Sequence, residues 1–408
     1  MKKVLSLAMS LLLFVVLITA TTLPAQAAAE PGYYYKQLGS TAKLLYDSIL
    51  EKCANGPALF ILDLPDKYSF YASKEDVENE LQDCIEYLNF GWELANDFQS
   101  ALDAVKADKP LETFWFGTGD DTLPGAGFGA IGPEDGGTWK IHIMQINIQV
   151  DEKYAGNYAQ MKTDLEKTVD DFVVDGETLY ERVQSIHDQL ASTIDYVMDQ
   201  PYAHEATGAL LKQEAVCEGY AKAFKLICDR EGIPCLLIIG LGKGSAGEEN
   251  HMWNYVQMEN SFWYAVDVTW DSQDYVAFYD FFLVGSTTVP TNFEKIPFSA
   301  SHIPSGWFSG GDQGIEFKYP ALSSIAYVVG GKLPLGQISN GPTLRIDDAR
   351  MILQYLVEKI ELTPEQVDAA AVNGSKNDDD SPKVTITDAR LILQMLVGKI
   401  TEFPRTDY

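Results

Sequence analysis

Hydrophobic and polar positions recur with several periods along this chain, and each change of period marks an element. Between residues 31 and 112 apolar side chains recur at helical spacing, which predicts helices over 34–52, 74–89 and 90–107. From 117 to 138 the sequence turns rich in Gly, Pro and Asp, a long loop or hairpin region. Met144, Ile146, Ile148 and Val150 then alternate with Gln145, Asn147 and Gln149, the period of a strand. A helix over 157–171 follows, and another carries Leu179, Val183, Ile186 and Leu190 on one stripe.

Residues 213–271 are denser in signal. Tyr220, Ala221, Phe224, Ile227 and Cys228 form a helical apolar face, ended by Gly232-Ile233-Pro234. Residues 236–239 read as a buried strand and 240–247 as a glycine-rich loop. Two further strands, 252–258 and 262–269, are joined by a tight turn at Glu259-Asn260-Ser261. A helix followed by antiparallel strands is an α+β order.

Composition narrows the setting. The 408 residues exceed one average domain, and two or three are expected. A net charge of −29 removes any electrostatic reason to bind nucleic acid or anionic lipid. Lys2-Lys3, an apolar run over 5–20 and Ala25-Gln26-Ala27 read as a secretory leader, so a mature protein beginning near Ala28 is expected outside the cell. The run is short for a membrane span, and no other stretch approaches about 18 apolar residues. Five cysteines leave at least one thiol unpaired. Cys53 could pair with Cys84 and Cys228 with Cys235, or all four could be small buried hydrophobes.

The odd cysteine carries the chemistry. Cys217 begins the apolar-periodic helix, where the helix N-terminus favours the thiolate. His251 and Asp267 follow in the order of a general base and the carboxylate that orients it. Glu259 lies midway between these two, so a turn centred on it places them directly opposite, about 4.5–5.5 Å apart at Cβ. The Cys217 backbone N–H would meet the oxyanion, with Gln213 as a candidate second donor. Trp253, Trp263 and Trp270 either wall an acyl site or pack a core. His142 and His204 show no partner spacing.

The words around these residues are more specific than their spacing. Val216-Cys217-Glu218-Gly219-Tyr220-Ala221, Gly232-Ile233-Pro234-Cys235, His251-x-Trp253-Asn254 and Asp267-Val268-Thr269-Trp270-Asp271 closely resemble the transglutaminase-like superfamily in its bacterial secreted branch. The resemblance runs from about 179 to 327. It takes in Ile186-His187-Asp188 and Tyr319-Pro320-Ala321-Leu322-Ser323, and within it His187 and His302 read as positioning or packing residues. It implies a papain-like fold, a helix packed on an antiparallel sheet, with Cys217 as nucleophile, His251 as base and Asp267 as its orienter. No cofactor is implied for catalysis. Animal transglutaminases place an aromatic residue after the nucleophile, whereas Glu218-Gly219 stands here. A cysteine peptidase, a transamidase and a non-catalytic binding module of the same fold therefore stay open. A polysaccharide hydrolase finds no convincing pair of carboxylates in residues 28–330.

The C-terminal 70 residues contain a repeat. The words Asp348-Ala349-Arg350 and Asp388-Ala389-Arg390 open two similar helices 40 residues apart. With a loop before each helix, residues 331–403 resemble a dockerin, a module of EF-hand type. That resemblance implies calcium and a cohesin partner on a cellulosome-type scaffold. The ligands are degraded. Gln337, Ser339 and Gly341 are poor ones in the first loop, and the second offers Asn377, Asp379, Ser381 and Asp388, with about six inserted residues. Weak calcium binding is expected in the second loop only. The expected division is a leader over 1–27, a helical or mixed region over 28–175, a catalytic domain over 176–330 and the dockerin over 331–403.

Overall fold

The computed structural model describes residues 32–53, 60–63, 69–73, 75, 85–115, 125–131, 138–148, 152–244, 247–273, 276–293, 295–308, 314–327, 333–338, 344–362 and 364–406. The leader and Cys84 lie outside these.

The N-terminal region is mixed rather than helical. Helix α1 (Ser40–Cys53) is followed by strands β1 (Phe60–Asp63) and β2 (Ser69–Ser73), where sequence periodicity predicts no strand. Helix α2 (Ile85–Asp108) runs unbroken through the predicted boundary at residue 90. Strands β3 (Gly125–Ile131) and β4 (Thr138–Ile148) form the hairpin that the Gly- and Pro-rich stretch announces, and β4 also pairs with β1 and β2. These short strands lie at the sheet edges and take their order from β4, which is distant in sequence.

Helices α3 (Tyr158–Asp171) and α4 (Leu179–Thr193) fall where the periodicity places them. A capping box fixes the start of α4: Thr178 accepts from the Glu181 N–H, and the Glu181 carboxylate accepts from the Thr178 N–H. Val183, Ile186 and Leu190 are buried against Tyr220, Phe224 and Ile227 of helix α5 (Cys217–Arg230). Each such side chain contributes about 1.5–3 kcal/mol on burial. The two-residue strands β5 (Asp195–Tyr196) and β6 (Glu214–Ala215) pair in parallel just before α5 and fix its entry.

The main sheet has the order β10-β7-β8-β9, made by β7 (Cys235–Gly244), β8 (Gly247–Gln257), β9 (Trp263–Val266) and β10 (His302–Pro304). The predicted glycine-rich loop is therefore strand. Glycine is required there by the neighbouring strand: a Cβ on Gly240 would lie 2.1 Å from the Ile303 carbonyl oxygen. Beside the larger core a second one forms from Leu236, Ile238, Trp253, Tyr255, Phe281 and Phe298.

The β8–β9 register runs from Asn254 opposite Val266 to Gln257 opposite Trp263, which centres the turn on Asn260 rather than Glu259. Continued, it sets Asp267 opposite Trp253 and not opposite His251. The shift is two positions, so both residues keep the same face. Helix α6 (Val268–Asp271) then carries the chain away from the sheet, with Asp267 as its N-cap.

The N-terminal segment is built into this core. Tyr34 is fully buried, donates its hydroxyl to the Leu237 carbonyl and meets Phe308 and Phe317 edge-on at 5.3 Å each. At the end of α2, Asp108 accepts the backbone N–H groups of Tyr34 at 3.1 Å and Tyr35 at 2.9 Å. Cys53, Cys217, Cys228 and Cys235 are free thiols, so the Cys228–Cys235 pairing gives way to the buried-hydrophobe reading.

The C-terminal repeat folds as helices α7 (Ile346–Leu356) and α9 (Ile386–Leu396) packed together, with α8 (Pro364–Ala370) between them in sequence. Asp348 and Asp388 are buried and cap their helices alike. Asp348 accepts from the N–H groups of Ile338 and Arg345, and Asp388 from those of Asn373 and Thr385. The loop bond spans 10 residues in the first copy and 15 in the second, so the second loop is the longer one.

Candidate active site

Cys217 is the first residue of α5. Val216, at the N-cap, supplies no side-chain cap, so the helix presents uncapped N–H groups and its positive end to the thiol. Glu218 and Gly219, the two residues that depart from the animal family, both have local structural causes. Glu218 receives Lys222 Nζ at 2.7 Å and the His204 ring at 3.0 Å. A Cβ on Gly219 would lie 2.4 Å from the Ala203 carbonyl oxygen, so only glycine lets the helix start approach that backbone.

Lys222 also reaches Glu205 at 2.8 Å and the His204 carbonyl at 3.0 Å, which makes a buried ionic cluster one turn behind the thiol. Burial pushes the Glu205 carboxyl up to about 7 against the pull of Lys222. Burial acts the same way on Glu218, but Lys222 and His204 overcome it and hold that carboxyl down to about 2. His204 thus has a partner, 14 residues away, that spacing does not reveal.

His251 on β8 and Asp267 at the end of β9 are both buried, with Nε2 and Oδ2 2.6 Å apart. Burial favours the neutral imidazole. The Asp267 charge and hydrogen bond, joined by a hydrogen bond with Cys217, override it and push His251 up to about 10. Asp267 is held well below the ordinary carboxylate range: the His251 and His302 interactions outweigh the cost of burial. His251 and Asp267 therefore meet, and the imidazole also feels the Cys217 thiol.

Asp267 is held on every side. Its Oδ1 accepts the N–H groups of Thr269 at 3.0 Å and Trp270 at 3.1 Å, and its Oδ2 accepts a second imidazole, that of His302, at 3.0 Å. The short helix after it is pinned at its far end, where Asp271 meets the buried His187 at 3.2 Å and accepts from the Phe281 N–H at 3.1 Å. Burial pushes the Asp271 carboxyl up to about 7.

Trp253 is fully buried, its ring 5.8 Å from that of His251, so it backs the imidazole rather than lining an open pocket. Gln213 is exposed in a left-handed conformation (φ 57°), and its carbonyl accepts from the Asp195 N–H at 2.8 Å. The sequence reading omits Tyr196, a β5 residue that is 52 % exposed. Burial first, then the charges of Cys217 and Glu249, push its phenol up to about 12, so it stands within electrostatic reach of the thiol. No sequence spacing signals it, because a two-residue parallel bridge brings it there.

His251, Asp267 and His302 are also the one cluster among the described residues with three His, Cys, Asp or Glu ligand atoms within 4.8 Å. Donors on one tetrahedral zinc, at about 2.0–2.1 Å from it, stand roughly 3.3 Å apart. Separations of 2.6 and 3.0 Å to a shared oxygen are those of hydrogen bonds instead. In the second C-terminal loop Ser381 donates to Asp379, and Asn377 donates to Ser381. Asp388 is occupied as a cap.

Residues 166–268 match the family model described as the transglutaminase-like superfamily. Kyphoscoliosis peptidase from Mus musculus is 29% identical over 147 residues, and that from Homo sapiens 31% over 148, in each case 32% of this chain and 22% of the relative. The chain thus spans about a fifth of the length of these curated relatives. A crystal structure of a TGase aligns with 35% of this chain and 43% of its own, at 14% identity and a TM-score of 0.22. Among the described residues no helix is long and apolar enough to cross a membrane. Residues 166–268, which hold Cys217, His251 and Asp267, are thus the part of the chain that is similar to the transglutaminase-like superfamily.

Proposed function

We propose that this chain is a secreted thiol acyl-transfer enzyme acting on protein or peptide amides. The observation that carries the reading is the buried His251–Asp267 pair, 2.6 Å apart, whose imidazole also interacts with a cysteine at a helix N-terminus. The helix N-terminus and the neighbouring imidazole favour transfer of the thiol proton to His251, which activates Cys217 as the nucleophile. The thiolate attacks the amide carbonyl carbon. The resulting oxyanion is met by the Cys217 backbone N–H, with Gln213 as the candidate second donor. His251 then gives its proton to the leaving amine as the C–N bond breaks, leaving a thioester. Water or a second amine attacks the thioester; His251 takes the incoming proton, and the thiolate departs. Asp267 keeps the ring oriented throughout.

Water as acceptor makes a cysteine peptidase, an amine makes a transamidase, and the relatives named as peptidases favour the first. Incubating the enzyme with a peptide mixture and a labelled primary amine separates them. Cleaved peptides without label mark a peptidase and labelled peptides a transamidase. Neither product above a Cys217→Ala control leaves a binding module of the same fold.

The C-terminal helix pair is proposed to be a dockerin that binds a cohesin module of a scaffold protein. Matching apolar residues stand exposed in both copies: Ile346 at 68 % and Ile386 at 69 %, Val357 at 62 % and Val397 at 68 %. Calcium would bind only weakly, in the second loop. Calorimetric titration of the full chain with calcium checks this, and two tight sites would refute it.

A further inference from the structure

We propose that His302 is a positioning residue for the thiol site, orienting Asp267 within the hydrogen-bonded series Ser301, His302, Asp267, His251. The proposal rests on the thiol-enzyme reading above and names a fourth residue that this reading does not use.

The hydrogen-bond capacity of one carboxylate limits how these side chains can be arranged. An ionised carboxylate only accepts, with about four lone-pair sites. On Asp267 Oδ1 takes two backbone N–H groups, and Oδ2 takes the Nε2 atoms of His251 and His302 at 2.6 and 3.0 Å. Both rings must therefore present Nε2–H to it. Burial, the largest influence on His302, lowers its pKa and keeps that ring neutral. Its Nδ1 is then an acceptor for the one proton of Ser301 Oγ, which stands 2.9 Å away and has the Phe298 carbonyl at 3.1 Å as its other acceptor. The same logic on His251 leaves Nδ1 free for the thiol.

His302 has little freedom to do otherwise. Phe298 stacks on its ring at 4.1 Å and 12°, and Trp270 lies 4.5 Å away. Strand β10 sets its backbone opposite Gly242 of β7. A core that needed only packing here would be filled by an apolar side chain. A neutral imidazole aimed at the second oxygen of Asp267 instead prevents that carboxylate from rotating away from His251. The titratable groups that face this set are Cys217, His251, Asp267, Tyr196, Glu249 and Asp271.

The test is the rate of Cys217 alkylation by iodoacetamide across pH about 4–10, with thermal unfolding measured alongside. In His302→Ala the rate at mildly acidic pH should fall about 10-fold or more, and the thiolate should form at higher pH. His302→Gln, whose amide nitrogen can still donate to Asp267, should recover most of that loss. Ser301→Ala keeps the ring and its packing, should shift in the same direction by less, and carries the test should His302→Ala fail to fold. A folded His302→Ala with the wild-type profile overturns the proposal, as does an equal loss in the Ala and Gln variants that only tracks stability. In both cases an acid-shifted wild type leaves the thiol reading standing. A wild-type thiol with no acid shift, unchanged by His251→Ala, overturns both.

Discussion

His251 Nε2 lies 2.6 Å from Asp267 Oδ2, at the short end of the range for a charge-assisted hydrogen bond, and both side chains are almost completely buried. Water cannot screen this pair, so the carboxylate charge determines whether the imidazole holds a proton. Asp267→Asn keeps the shape and removes the charge. It should lower His251 basicity and reduce turnover by about 10²–10⁴-fold while the fold persists. Single-turnover acylation rates, measured with far-UV circular dichroism as the fold control, check this.

The same pair predicts a pH window for stability. His251 is raised in the folded state, so its contribution is fully present below about pH 6.5 and is lost as pH rises through about 10. Asp267 is lowered, so its contribution is present above about pH 3.9 and is lost on acidification. Both act together between about pH 4 and 6.5. The stability difference between wild type and His251→Gln in urea denaturation should be largest in that window and narrow on either side.

Gly219 stands where a Cβ would meet the Ala203 carbonyl oxygen at 2.4 Å, two residues from the thiol. Gly219→Ala must push the start of α5 away from that backbone. Overpacking of this kind costs about 1–3 kcal/mol, and the displaced helix start carries Cys217 with it. The expected result is a lower urea midpoint together with slower alkylation of Cys217. Unchanged alkylation in a folded variant would mean that the helix start tolerates the shift.

Lys222 holds Glu205 at 2.8 Å and Glu218 at 2.7 Å in a buried cluster behind the thiol. Removing one partner of a buried ionic group leaves the others uncompensated, at a cost of about 3–5 kcal/mol. Lys222→Met should lose that much in equilibrium denaturation at neutral pH. Part of it should return on acidification, as Glu205 and Glu218 take up protons. A loss that does not depend on pH would point to packing instead.

Much of the site was legible because its residues lie in strong local patterns. The helix over Tyr220, Phe224 and Ile227 announces itself by period, and its first residue is the cysteine. Asp267 was matched to His251 through a turn centred one residue away from the real one. The two residues still share a face because a two-position shift preserves it, and Asp267 leaves the sheet to cap α6. What stayed hidden depends on contacts distant in sequence. His302 reaches Asp267 from 35 residues away. Tyr196 arrives on a two-residue bridge, and β1 and β2 owe their form to β4. Gly240 reads as loop because the strand that needs its small size comes about 60 residues later.

The central claim is a Cys217 nucleophile activated by His251, and the pH profile of its alkylation tests it most directly. In the wild-type chain, iodoacetamide should label Cys217 rapidly at pH about 5–6, well below the ordinary thiol range near 8.5, and His251→Ala should abolish that advantage. A Cys217 that alkylates only as an ordinary thiol near pH about 8.5, with or without His251, would contradict the account.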